Sequence, residues 1–179
     1  MTDQRIMNSI ETSPVAATLA RVDGRWVLTM QRDLAYPPER VWRMLTDPDR
    51  LALWSPIVPD RPLTSPGPAV ARENPGMPSV DAEVLVADPP RELVHRWDTH
   101  LLRWRLEPTA TGTRLTLADT LDEFADGSRN GAGWHICLAA LAVNLDDDGT
   151  GRVVGMDAMA YGWEKLNDAY AAAFVGADS

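Results

Sequence analysis

Gly131-Ala-Gly-Trp-His-Ile-Cys-Leu-Ala-Ala-Leu-Ala-Val-Asn-Leu145 is the stretch whose reading decides the fold. Trp134, Leu138, Leu141 and Leu145 stand at i, i+4, i+7 and i+11, so an α-helix sets four large apolar groups along one face. Ala139, Ala140 and Ala142 raise helix propensity and keep the flanks thin enough for close packing. The glycines in front suit a tight approach from a preceding loop, and Asp146-Asp147-Asp148-Gly149 ends the segment. One amphipathic helix over 133–145, laid across the concave face of a sheet, would organise the six short β-like segments that come before it.

Those segments alternate. Ala16 to Val22 and Arg25 to Leu34 flank Asp23-Gly24, a hairpin turn signal. Trp26, Leu28, Met30, Arg32 and Leu34 share one face of the second strand, and Arg32 is the misfit among them. Val80 to Ala87, Glu92 to Trp97, Leu101 to Glu107 and Thr113 to Leu121 continue the pattern, linked by turns at Asp88-Pro89-Pro90, Asp98-Thr99-His100 and Thr109 to Gly112. Leu93, His95 and Trp97 share a face, as do Leu102, Trp104 and Leu106. In the last strand Leu115, Leu117, Asp119 and Leu121 do so, and Asp119 is the second misfit. Hairpin-linked alternating strands describe an antiparallel meander with one face on a core.

Pro37-Pro38 stops the second strand and starts a helix, with Val41, Trp42 and Leu45 on its buried side. Asp47 suits an N-cap with Pro48 at the first helical position, predicting a second short helix over 49–54. Half of the chain's 14 prolines lie between Pro56 and Pro78, where only two short edge strands, 58–63 and 69–73, are expected. Acidic, glycine-rich 146–155 reads as a loop. Trp163, Leu166, Tyr170 and Phe174 then predict an extra C-terminal helix over 157–174. Residues 1–13 show no sustained period and are expected to be loose, leaving 14–179 as a single domain whose extra helix falls within 155–175.

Composition narrows the function classes. A net charge of −9 argues against nucleic acid and against an anionic membrane surface. A single cysteine, Cys137, makes no internal disulfide and fits a reducing compartment; within the helix it reads as a small core residue. Residues 1–13 lack the apolar run of a signal peptide, and nowhere do 18 apolar residues follow one another, so the expected compartment is cytoplasmic. The three histidines lack metal spacing, Asp146 to Asp148 miss the calcium-loop pattern, and no phosphate loop, dinucleotide fingerprint or nucleophile elbow appears. No cofactor is expected.

Several stretches in order resemble a known family. Pro37-Pro-Glu-Arg-Val-Trp-Arg-Met-Leu-Thr-Asp-Pro-Asp-Arg-Leu-Ala-Leu-Trp54 is similar to the first helical unit of SRPBCC (START-like) domains, closest to the branch named after the activator of Hsp90 ATPase. Asp88 to Leu93, Leu102 to Glu107, Gly112 to Leu117 and Gly133 to Leu138 follow in the order that branch has, and the tail around Gly151 to Gly155 and Gly162 to Leu166 resembles an extension of bacterial members. The resemblance implies an α+β helix-grip fold: a curved antiparallel β-sheet wrapped around a long C-terminal helix, with two short helices after the first main strand. It also implies a cavity between sheet and helix for apolar small molecules. It supplies no invariant catalytic motif, so catalytic residues are unknown.

The candidate ligand-binding residues are Trp54, Trp97, Trp104, Trp134 and Leu138 as apolar lining, and Arg32, His95 and Asp119 as polar groups facing inward. The plainer alternative is that the indoles fill the core and His95 is a satisfied structural residue, while His100 and its turn are solvated. Arg32 and Asp119 share parity with apolar neighbours on strands that the fold places side by side, so they are expected to form a charge-assisted pair, with His95 within reach. Three functions compete: a cavity protein for an apolar small molecule, an enzyme doing acid/base chemistry on a ring or polyketide-like substrate, and an interaction role by analogy with Hsp90 activation. Oligomeric state is not legible.

Overall fold

The computed structural model describes residues 1–146 and 149–178, and its first element is a helix where the sequence pattern predicts none. In α1 (Gln4–Thr12) the Asp3 carboxylate caps the helix by accepting from the Arg5 N–H at 2.8 Å. The stripe of α1 is only Ile6 and Ile10, too short to register as a period, and both are buried. The expected loose N-terminus is therefore corrected: those two isoleucines find a tertiary groove that local pattern cannot reveal.

β1 (Ala17–Val22) and β2 (Arg25–Leu34) pair antiparallel around Asp23 and Gly24, whose φ angles of 51° and 84° are the two left-handed conformations of a type I′ turn. α2 (Pro38–Thr46) and α3 (Pro48–Leu51) follow, with the Asp47 carboxylate accepting from the Asp49 N–H at the start of α3. The second helix ends earlier than 49–54 suggests. The proline-rich segment keeps its strands short: β3 (Val58–Pro59) and β4 (Val70–Arg72). The continuous strand expected over 80–87 splits into β5 (Val80–Asp81), paired with β4, and β6 (Val84–Asp88), paired with β7 (Glu92–Trp97). β8 (His100–Thr109) and β9 (Gly112–Leu121) complete the meander.

The strands form a six-stranded sheet in the order β1-β2-β9-β8-β7-β6 and a three-stranded sheet, β3-β4-β5. Pairing of β2 with β9, Trp26 opposite Leu121 through Leu34 opposite Thr113, closes the large sheet across the whole sequence. Alternation survives intact there: Trp26, Leu28, Met30, Arg32 and Leu34 of β2 are buried, as are Leu115, Leu117, Asp119 and Leu121 of β9.

α4 (Asp126–Leu145) packs on this face. It begins a turn before Gly131, so the glycines read as a lead-in lie inside the helix. Gly131 is there because α6 crosses closely: a Cβ at this position would sit 3.0 Å from Cγ of Tyr170. The C-terminal helix expected as one piece breaks at Tyr161-Gly162 into α5 (Asp157–Ala160) and α6 (Trp163–Ala173). α1 and α6 both pack on α4, and Ala132, Ile136, Ala139, Ala140 and Val143 are buried along with the predicted face of Trp134, Leu138, Leu141 and Leu145. A helix apolar on nearly all sides needs cover on both. The architecture is α+β with a curved antiparallel sheet gripping one long helix. None of the described helices is long and apolar enough to cross a membrane.

Leu141 is fully buried, so Leu141→Ala should cost about 2–5 kcal/mol in urea unfolding. Ile6→Ala should fall in the same range of about 2–5 kcal/mol if α1 is part of the cooperative unit. A near-neutral Ile6→Ala would mean that α1 detaches before the rest unfolds.

Candidate functional site

Indoles fill the space between sheet and helix. Trp97, Trp134, Trp104 and Trp54 form an edge-to-face chain with successive centroid distances of 5.7, 5.5 and 5.8 Å. The Trp54 N–H donates to Met44 O at 2.8 Å, the Trp104 N–H to His95 Nε2 at 3.1 Å, and the Trp134 N–H to Asp119 Oδ2 at 2.9 Å. The void left among Leu45, Trp54, Leu63, His95 and Trp104 is about 10 Å³, room for at most one water. The interior is solid.

His95 is a satisfied core residue. Its Nε2 accepts from Trp104, which leaves the proton on Nδ1, and Nδ1–H donates to Arg96 O at 3.1 Å. Burial pushes its imidazole down to about 4, so it is neutral at ordinary pH.

Asp119 is fully buried and collects three donors: His100 Nδ1 at 2.9 Å, Trp134 Nε1 at 2.9 Å and Asn130 Nδ2 at 3.2 Å. His100 is therefore the first residue of β8, held against this carboxylate, and its side chain is only 22% exposed; the solvated-turn reading is corrected. The hydrogen bond to Asp119 is the main reason its imidazole is held above the usual histidine range, against the opposing effect of burial.

Arg32 and Asp119 do not meet. Both point inward as parity demands, but Arg32 lies opposite Leu115 while Asp119 lies opposite Leu28. The offset is four residues, or ~13 Å along the strand. Arg32 instead reaches His135 Nδ1 at 3.4 Å and Gln31 O at 2.8 Å. His135 donates from Nε2 to Ile10 O at 3.0 Å, so its Nδ1 also accepts from the Tyr170 hydroxyl at 2.8 Å. The expected pair fails, and the acid/base reading loses the support it drew from that pair. Alternation specifies a face, and strand register alone specifies the neighbour.

Open space lies on the flank of α4. A pocket of about 240 Å³ has Trp97, Trp134 and Trp163 as aromatic walls, with Pro56, Val153 and Val154 across from them. Gly133, Ile136 and Cys137 supply the helix side, and Glu73, Arg129 and Asn130 are its polar members. Burial pushes the Cys137 thiol up to about 12, so it is a wall rather than a nucleophile. The far side is tied down by Arg152, whose guanidinium donates to Ser55 O at 3.2 Å, Asn74 Oδ1 at 3.3 Å and Glu73 O.

Of the candidates read from sequence, Trp97 and Trp134 border this pocket, and Asp119 stands behind it through Asn130 and Trp134. Trp54, Trp104 and His95 belong to the filled interior, and Leu138 is buried without touching either space. From the proline-rich segment, Pro56 and Glu73 line this pocket. Asn130, Gly133 and Trp163 also line the pocket, and no sequence pattern marks them as site residues beyond a glycine inside a helix beside a tryptophan. The acidic turn read at Asp146 to Asp148 lies partly outside the described residues, at Asp147 and Asp148.

The histidines predict a pH dependence. His95 titrates near 6.5 when unfolded and at about 4 when folded. The unfolded chain thus binds the extra proton, and stability is lost as pH falls from about 6.5 toward 4, by up to about 3 kcal/mol for this group. His135, also lowered by burial, adds in the same direction. His100, raised, contributes the opposite: stability present below about 6.5 and lost as pH climbs through its folded value. Urea midpoints between pH 7 and 4.5 should show His95→Phe with a shallower acid slope than the parent protein, whatever its offset at pH 7. Identical slopes would refute the assignment.

Residues 25–142 match the family described as polyketide cyclase / dehydrase and lipid transport. A search of curated proteins finds no match. Among solved structures, a conserved protein of unknown function from Enterococcus faecalis superposes with a TM-score of 0.76 at 18% identity, over 96% of this chain and 98% of that one. CalU16 from Micromonospora echinospora gives 0.67 at 21%, over 88% and 96%. DynU16, a protein of the dynemicin biosynthetic locus, gives 0.62 at 25%, over 70% and 48%. The similarities at 18% and 21% speak for the fold alone. The narrower likeness to the Hsp90-activator branch has no counterpart among these matches. With well over half of its length matched, the chain belongs to the polyketide cyclase/dehydrase and lipid transport family, within the SRPBCC superfamily.

Proposed function

We propose that the protein binds a small, largely apolar molecule with a flat ring system in the pocket on the flank of α4. Gly133 carries the reading. A glycine inside a helix costs about 1 kcal/mol relative to alanine, and nothing in the fold requires one here, since no atom lies within 4 Å of where its Cβ would be. The room it leaves belongs to the pocket. Three indoles facing that room suit an aromatic guest. The volume, about 240 Å³, is below the usual ligand-site range of roughly 300–1,000 Å³ and favours a compact one. The family's description and the dynemicin-locus neighbour, DynU16, are consistent with small-molecule handling.

Gly133→Leu should send its side chain into the pocket, since a Cβ there meets no neighbour. Titrated with 2-naphthol and followed by tryptophan quenching, the parent protein should bind and the leucine variant should not. The leucine variant's unfolding midpoint should stay level or rise, because helix propensity improves. Equal binding by both proteins would place the probe elsewhere, and no binding by the parent would remove the pocket reading.

A second reading, acid/base catalysis, is favoured by one observation: a part-exposed imidazole, His100, held by a buried carboxylate through Nδ1. That leaves Nε2 for a substrate proton. Under this reading His100→Gln abolishes conversion of a bound ligand but leaves 2-naphthol binding intact.

A further inference from the structure

Trp134 has two sides. Its outer side borders the open pocket with Trp97, Gly133 and Asn130, while its inner side borders the void of about 10 Å³ among Trp54, Leu63 and Trp104. Both spaces are walled mainly by apolar groups, and the ring donors of the inner wall are occupied: the N–H groups of Trp54 and Trp104 are both bonded, and His95 is spent on Trp104 and Arg96. What divides them is one indole, and it is tethered. Its N–H is bonded to Asp119 Oδ2 at 2.9 Å, and its ring is wedged edge-to-face between Trp97 and Trp104.

From this we infer that Trp134 is the specificity-determining residue of the site: it sets how deep a ligand can enter from the pocket, and Asp119 is the positioning residue that holds it in place. The inference rests on the pocket being the binding site. A guest that reaches past the outer chamber toward the interior must displace the indole, and doing so takes one of three donors from a buried carboxylate. A short guest leaves that hydrogen bond untouched. The site is thereby selective for compact ring systems although the apolar volume behind the partition, once vacated by the indole, would continue inward toward Trp104.

The test compares two probes of different size, 2-naphthol and 1-aminopyrene, with affinity read from probe fluorescence. The parent protein should bind 2-naphthol and take 1-aminopyrene about tenfold more weakly or worse. Trp134→Ala should shift the preference toward 1-aminopyrene by about tenfold or more relative to 2-naphthol, whose own affinity falls because the indole is also a wall of its site. Because the alanine variant removes much packing, Trp134→Phe provides the second arm: it keeps a ring between Trp97 and Trp104 but drops the tether to Asp119. It should show a smaller shift toward 1-aminopyrene, in a protein whose circular dichroism matches the parent. A preference between the two probes that is unchanged in both variants overturns the inference while leaving the pocket reading intact. So does equal binding of both probes by the parent. Failure of the parent to bind 2-naphthol at all is the distinct result that removes the pocket reading and this inference with it.

Discussion

A carboxylate sealed from water must be surrounded by donors or it destabilises the fold that contains it. Asp119 meets that demand with a residue from the first position of β8 and two from α4. Asn130 and Trp134 are one turn apart on one face of the helix, so their two bonds to one carboxylate fix both the rotation of α4 and its position along the sheet. The rest of the helix follows from this anchor. Gly131 comes under the Tyr170 ring, and Trp134 comes against Trp104 and Trp97. His135 is turned to the opposite side, toward Ile10 and Tyr170.

That anchoring also explains where the empty space lies. Pinned indoles close the interior between sheet and helix, and room beside Trp134 remains on its outer side, where the 150–163 extension and the proline-rich segment stand off from α4. Arg152 keeps that standoff fixed, because its guanidinium is occupied by backbone carbonyls of residues 55, 56 and 73. A cavity framed this way has the helix on one side and, on the other, irregular chain to which Arg152 is tied.

Arg32 illustrates the opposite arrangement. It is buried, its Nε has no partner, and among the described residues no carboxylate lies at ion-pair distance from it. Its neighbours are a neutral histidine and a hydroxyl, His135 and Tyr170, and burial holds the Tyr170 phenol above its ordinary range. The cluster joins β2, α4 and α6 and, through Ile10 O, α1. The N-terminal and C-terminal helices thus cover the outer side of α4 around one buried cation.

Sequence alone determined the strands of the large sheet, the inward parity of Arg32, His95 and Asp119, and the central helix from Trp134 to Leu145. Each is a local property: alternation and a 3.6-residue repeat are consequences of backbone geometry that no distant residue can alter. The first two turns or so of α4 escaped because their glycines read as a loop, and the reason for Gly127 and Gly131 in a helix is the close approach of the Leu19 and Tyr170 side chains. α1 escaped because two isoleucines make no period. Only the tertiary structure decided which partner each buried polar group took. Parity places Arg32 and Asp119 on one face, yet register separates them by four residues, and the donors that satisfy Asp119 come from α4 and from the first residue of β8, brought together by the tertiary fold. The same holds for the pocket, whose walls come from five separate stretches between Pro56 and Trp163. A void is a property of how elements fail to meet, and no single stretch of chain encodes it.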